Sequence, residues 1–154
     1  MGVELAEVMA AQLGEVGIEV DINVLDWGSM VAFWEGLLPE NNPQEIFIMG
    51  AGASTADADW GLRPIFQTHP TNENNYGYYS NAEFDRVIQE AMRETDPDAR
   101  QELYRRAQEI VYLEDPGAVW LYDNYFILGA RSGVVDITLS PLGVVTFERA
   151  AFRE

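Results

Sequence analysis

Between Gly17 and Met49 the hydrophobic period of the chain changes twice, and that change limits the available folds more than any other feature. Ile18, Val20, Ile22 and Val24 alternate with Glu19, Asp21 and Asn23, the two-residue period of a strand with one buried face. Asp26 can then cap a helix whose Trp27, Met30, Val31, Trp34, Leu37 and Leu38 form one apolar stripe, ended by Pro39 and the polar Asn41-Asn42-Pro43. Ile46-Phe47-Ile48-Met49 is next, a continuous apolar run of the kind found in strands covered on both faces. Strand, helix, strand predicts a βαβ unit with parallel strands and a right-handed crossover. Open α/β sheets gather ligands beyond the carboxyl ends of their strands, so residues 50–60 are where a site is expected.

Helices flank this unit. Leu5, Val8, Met9, Leu13 and Val16 recur at helical spacing and stop at Gly17, a residue suited to the left-handed position past a helix. The polar, aromatic "PTNENNYGYY" from Pro70 to Tyr79 reads as a loop. Ser80 and Glu83 then have the spacing of a capping box ahead of Phe84, Val87, Ile88, Ala91 and Met92. Asp96-Pro97 is a cap followed by a first-turn proline, and Leu103, Ala107, Ile110 and Val111 carry a further helix to Glu114. After Asp115-Pro116-Gly117, residues 118–122 and 125–128 read as short strands, with one more at 144–147. The segment from Ser132 onward is the least able to build a core alone. The sequence thus predicts an α/β chain with a βαβ unit, a mixed sheet and flanking helices.

Composition removes several function classes. A formal charge of −17, with nine arginines and no lysine, opposes nucleic-acid binding, which needs clustered cations. Without cysteine there is no disulfide, thiolate metal site or cysteine nucleophile, and the single histidine, His69, precedes Pro70 in a polar loop with no second imidazole to complete a zinc site. No cofactor is implied. No apolar run approaches the ~20 residues that span a bilayer. Met1-Gly2-Val3-Glu4 lacks the regions of a signal peptide, so the chain is expected either to be cytosolic or to begin downstream of a targeting segment.

At the end of the second predicted strand lies "STADADWGLRPIF", residues 54–66, with two acids beside a tryptophan. Asp57 and Asp59 suit either ligand contact or turn formation, since aspartate bonds its own backbone in loops. Trp60 can stack on a ligand or anchor the loop, and Arg63 can clamp a ligand carboxylate with its planar fork or pair with a neighbouring acid. The acids and arginines of residues 83–106 read as a solvated helix face.

The ordered set "AAQLGEVGIEVDI", "ADW.LRP.F" and "YYSNAEFDRVIQEAMRETDPDARQELYRRAQEIVYLEDPGAVWLY" resembles the C-terminal lobe of the family 5 extracellular solute-binding proteins, the receptors of ABC importers for dipeptides, oligopeptides, nickel and glutathione. Ser54-Thr55, Ala58-Asp59-Trp60 and Leu62-Arg63-Pro64 are most similar to the glutathione-binding type. The resemblance implies part of a type II periplasmic-binding-protein lobe: residues 1–131 as a C-terminal lobe without its first strand, and 132–154 as a tail that returns toward a missing N-terminal lobe. It implies a periplasmic or membrane-anchored extracellular location, a peptide-like or glutathione-like solute, and the membrane permease as partner. An aspartate that pairs with the ligand's α-amino group in peptide-binding relatives falls on Asp59. Asn75, Tyr76 and Tyr78 occupy a loop that faces the cleft, and Ser54 and Thr55 belong to the same expected contact set. Where relatives often carry a tryptophan, this chain has Gly50-Ala51-Gly52-Ala53, which widens the pocket or changes its preference.

Two other classes compete with a non-enzymatic binding lobe. A carboxylate-pair hydrolase would use Asp57 and Asp59, but these neighbouring loop acids lack a nucleophile, histidine or metal partner. An interaction module would use an exposed strand edge for self-association.

Overall fold

The computed structural model describes residues 2–35, 39–43, 45–50, 52, 54–70 and 74–153. In chain order these form α1 (Gly2–Glu15), α2 (Trp27–Trp34), a 3-10 turn (Pro39–Asn41), α3 (Ala58–Phe66), α4 (Ala82–Ala91), α5 (Pro97–Glu109), a π-helical turn (Ile110–Glu114), and the short strands β1 (Val134–Val135), β2 (Thr138–Leu139), β3 (Val145–Thr146) and β4 (Ala151–Phe152). Helices with small strand pairs give the α/β character that the sequence predicts, consistent with part of a type II periplasmic-binding-protein lobe.

The core follows from α4 and α5. Phe84, Val87, Ile88 and Ala91 recur on one face of α4 and are buried, and Tyr104, Ala107, Ile110 and Val111 do the same along α5 and its π-helical extension. α3 adds Leu62 and Phe66, closing one cluster of three helices. The Phe84 ring meets Phe66 at 6.2 Å and Tyr79 at 6.0 Å, both edge-on, the arrangement favoured by the ring quadrupoles. Gly117 sits where this layer is tightest, because a β-carbon there would lie 2.7 Å from the Phe66 ring.

Two helix starts are set as the sequence predicts and a third is shifted, while α2 ends at Trp34 and not at Pro39. Asp96 accepts from the Ala99 amide with Pro97 in the first turn, and Asp26 accepts from the Ser29 amide. The cap of α4, however, is Asn81, which accepts from both Glu83 and Phe84 N–H, while the Ser80 hydroxyl lies 2.9 Å from the Thr68 hydroxyl. One residue of shift suffices because asparagine reaches the first-turn amides as well as serine does.

At the far end of α5 the Asp115 amide bonds back to the Ile110 carbonyl, five residues earlier, making the π-helical turn. This ends with the Asp115 carboxylate accepting from the Asn81 side-chain amide at 2.8 Å, and with the Tyr79 hydroxyl donating to the Asp115 carbonyl at 3.0 Å. Burial, followed by the charge of Asp115, pushes the Tyr79 phenol up to about 12. An unfolded tyrosine ionises near ~10, so the raised value stabilises the fold in full below that pH and is lost as pH climbs through the folded value. Denaturation midpoints should therefore fall between about pH 10 and pH 12, and Tyr79→Phe should reduce that slope. An unchanged slope in the variant would show that another group governs it.

Apart from β3, which falls within the expected segment 144–147, the strands depart from expectation. The paired strands among the described residues are two antiparallel ladders, with Val134 opposite Phe152 and Leu139 opposite Val145. Residues 18–24 and 46–49 carry no strand assignment, so the parallel pair of the predicted βαβ unit is not formed; 118–122 and 125–128 are likewise unpaired. The reason is coverage, because parallel pairing needs both faces buried and a pair of strands is marginal alone. Ile18, Val20 and Val24 are exposed, as are Tyr125 at 93% and Ile127 at 94%. The α2 stripe is also only half realised. Trp34 is buried against Phe47 and Tyr76, whereas Trp27 is 61% exposed in the first turn; Leu37 and Leu38 lie outside the described residues.

Candidate functional site

The loop before α3 is assembled by its own short side chains. Ser54 and Thr55 lie in an exposed turn, the Asp57 amide donates to the Thr55 hydroxyl at 3.4 Å, and Ala56 takes a positive φ of 58°. Asp57 then caps α3 by accepting from the Asp59 amide at 2.9 Å. Asp57 is thus both a turn former and a helix cap, the backbone-bonding role its residue type allows.

Asp59 stands in the first turn of α3 with Arg63 one turn later on the same face. The guanidinium grips both carboxylate oxygens: Nε lies 2.9 Å from each, and Nη2 is 2.8 Å from Oδ2. The bond to Asp59 raises the Arg63 pKa above the ordinary arginine value. Trp60, between them in sequence, is 44% exposed, so its ring is open to contact and does not anchor the loop in the core.

Arg100, one of the arginines expected on a solvated face, and Tyr104, a core residue of α5, complete the cluster. Arg100 donates from Nη2 to Asp57 Oδ1 at 2.9 Å and to the Tyr104 hydroxyl at 3.2 Å, and lies 4.7 Å over the Tyr104 ring. Tyr104 donates to Asp59 Oδ1 at 3.3 Å. Hydrogen bonding from Arg100, then from the Asp59 amide, holds Asp57 below the usual carboxylate range, and burial followed by the Asp59 charge pushes the Tyr104 phenol up. The signal for this pair was the i,i+4 spacing of an arginine and an aromatic on α5, but nothing local identifies a partner 43 positions earlier. The remaining acids and arginines of this region do form the expected surface pairs, including Arg86 with Glu90 and Arg106 with Glu83 and Glu114.

Asn75, Tyr76 and Tyr78 fall elsewhere. Asn75 is 4% exposed and spends its amide on backbone: Oδ1 accepts from Tyr79 N–H, and Nδ2 donates to the carbonyls of Tyr79 and Gln67. Gln67 is the C-cap of α3, whereas Asp59 is in its first turn, so these attachments are separated by about 12 Å of helix. Tyr76 stacks on Trp34 at 4.0 Å. Tyr78 has a positive φ of 52°, and its buried hydroxyl has no hydrogen-bond partner among the described residues. The structure therefore joins Asp57, Asp59 and Arg63 into one cluster behind Ser54 and Thr55, and places Asn75 at the opposite end of α3. An open depression between α4 and α5, lined by Glu90, Arg93, Glu94 and Glu102, includes none of these residues.

Among the described residues no three His, Asp or Glu side chains converge as a metal site, and no helix is long and apolar enough to cross a membrane. An acidic loop ahead of a short helix, fixed to a helical layer and flanked by an exposed tryptophan, is an arrangement that can contact a small polar solute. The chain is homologous, over part of its length, to the periplasmic solute-binding proteins of family 5. It is 36% identical over 107 residues to the glutathione-binding protein GsiB of Salmonella typhi and to that of Escherichia coli K12, and 35% identical over 107 residues to that of Salmonella typhimurium LT2. Each match takes in 68% of this chain and 21% of the relative, so the chain spans about a fifth of the length of these proteins. No family profile matches the chain.

Proposed function

We propose that the chain is part of the distal lobe of an ABC-importer receptor, capturing a peptide-like or glutathione-like solute without chemical turnover and delivering it to a membrane permease. The identity of 36% over 107 residues to glutathione-binding proteins is the observation that carries this reading. In it, a ligand bridges two lobes, favours the closed state through its differential affinity, and the closed receptor docks on the permease outside the cytoplasmic membrane. Asp59 meets the solute's α-amino group with charge-assisted hydrogen bonds, exchanging part of its present hold on Arg63, and the freed guanidinium edge and Trp60 lie beside it. Ser54, Thr55 and Asp57 line the approach; Asn75, Tyr76 and Tyr78 shape the second loop and act mainly through its conformation.

Exposed apolar groups support a larger protein around this chain. Val119, Tyr125 and Ile127 stand almost fully in solvent on an extended, unpaired segment, and we assign that face to contact with the rest of a receptor, of which this chain represents a fifth. Alone, the chain is expected to self-associate through the same edge; light scattering that shows a clean monomer at high concentration counts against this assignment.

A half-site predicts weak binding. Calorimetry of this chain with reduced glutathione should give no dissociation constant tighter than about 1 mM, equivalent to about −4 kcal/mol. Micromolar affinity would show that one lobe makes the whole site and would overturn the two-lobed mechanism.

A further inference from the structure

We propose that Arg100 and Tyr104 are positioning residues for the acidic loop: from one face of α5, each fixes the orientation of one of the aspartates that precede or begin α3. The inference rests on the reading of Asp59 as a ligand contact and adds to it the residues that hold the contact in place.

The geometry distinguishes this tie from the ordinary ion pairs of the surface. The Asp59–Arg63 pair lies within α3 and travels with that helix, so it cannot locate the loop relative to anything else. The bonds from α5 can. Arg100 and Tyr104 are one helical turn apart, and they reach Asp57 and Asp59 on either side of Ala58, the first residue of α3. Two contacts from a rigid helix to two adjacent points of a loop fix its rotation as well as its distance, which one contact would not do.

Each side chain also constrains the other. The Tyr104 hydroxyl accepts from Arg100 and donates to Asp59, so its hydrogen is committed in one direction and the three groups polarise one another. The Arg100 guanidinium lies over the Tyr104 ring, which limits its rotamers and delivers Nη2 to Asp57. The Tyr104 ring is itself locked in the core at 4% exposure. Placement thus passes from the packed layer to the phenol, and from the phenol and guanidinium to the carboxylates. Within the cluster two acids face two arginines, leaving the cluster without net charge although the chain is strongly acidic.

Carboxyl-carbon NMR of this chain tests the proposal through each aspartate. In the wild-type chain Asp57 should titrate below the ordinary value of about 3.9. Arg100→Gln should move its midpoint up toward that value while the urea midpoint stays nearly unchanged, and Arg100→Lys should recover part of the depression. Tyr104→Phe keeps the ring and deletes the donor; it should displace the Asp59 carboxyl resonance at pH 7. An Asp57 midpoint that is ordinary in the wild type, or unmoved by Arg100→Gln, overturns the role of Arg100, and an unmoved Asp59 resonance overturns that of Tyr104. Addition of reduced glutathione to the same samples reports separately on the functional reading: no response at Asp59 at tens of millimolar would count against solute contact there and leave the positioning result intact.

Discussion

Truncating Phe84 to alanine is expected to remove about 3–5 kcal/mol of stability and leave little folded protein at 37 °C. Phe84 is wholly buried and is the side chain through which α3, α4 and the Tyr79 loop meet, since its ring contacts both Phe66 and Tyr79. A cavity there cannot collapse easily, because three separate segments would have to move inward together. Domains are typically stable by only about 5–15 kcal/mol, so one such loss consumes much of the margin. Urea unfolding followed by far-ultraviolet circular dichroism gives the difference directly. A loss under about 1 kcal/mol would mean that the cohesive layer lies elsewhere.

The second large effect is expected at Asn75. Replacement by alanine leaves the Tyr79 amide, the Tyr79 carbonyl and the Gln67 carbonyl without the partner they have now. Buried polar groups left unmade cost about 1–3 kcal/mol each, and water entry into this partly covered loop should hold the total to about 2–3 kcal/mol. Hydrogen exchange discriminates the mechanism. The Tyr79 amide should lose its protection in Asn75→Ala while the amides of α5 retain theirs; retained protection at Tyr79 would show that the side chain is not its acceptor. The result also bears on function, because weaker solute binding by this variant would report a collapsed loop and not a deleted ligand contact.

Helices were legible in the sequence because their evidence is local. The apolar faces of α4 and α5, and the caps at Asp26 and Asp96, are patterns within a few turns of chain, and they reappear with the same residues buried or capping except Met92, which is exposed at the end of α4, and Leu103, which is partly buried. Strands were legible only at 144–147, where β3 forms, since alternation at 18–24 says which side chains would share a face but not whether another strand lies alongside. Trp27 shows the same limit on a helix, where a stripe specifies a face without supplying something to cover it. At the candidate site, the pairing of Arg63 with a neighbouring acid was one of the two roles its residue type offered, and it falls on Asp59. Arg100 and Tyr104 could not, because their role depends on how α5 crosses α3. Asn75 stood out because the resemblance places its loop at the cleft, and its burial is a tertiary fact that composition does not contain.

The π-helical turn at 110–114 has a consequence for how the chain can change length. Each residue of an α-helix advances the direction of the next side chain by about 100°, so giving these same residues α-pitch would swing Asp115 away from Asn81 and Tyr79, whereas deleting one residue together with the return to α-pitch would keep its aim. The turn acts as a spacer that sets aim, not merely reach. Side chains on its exposed side, such as Leu113, can vary with small effect, and loss of one residue can be absorbed by a return to α-pitch, whereas a further insertion would turn Asp115 from the entry of α4.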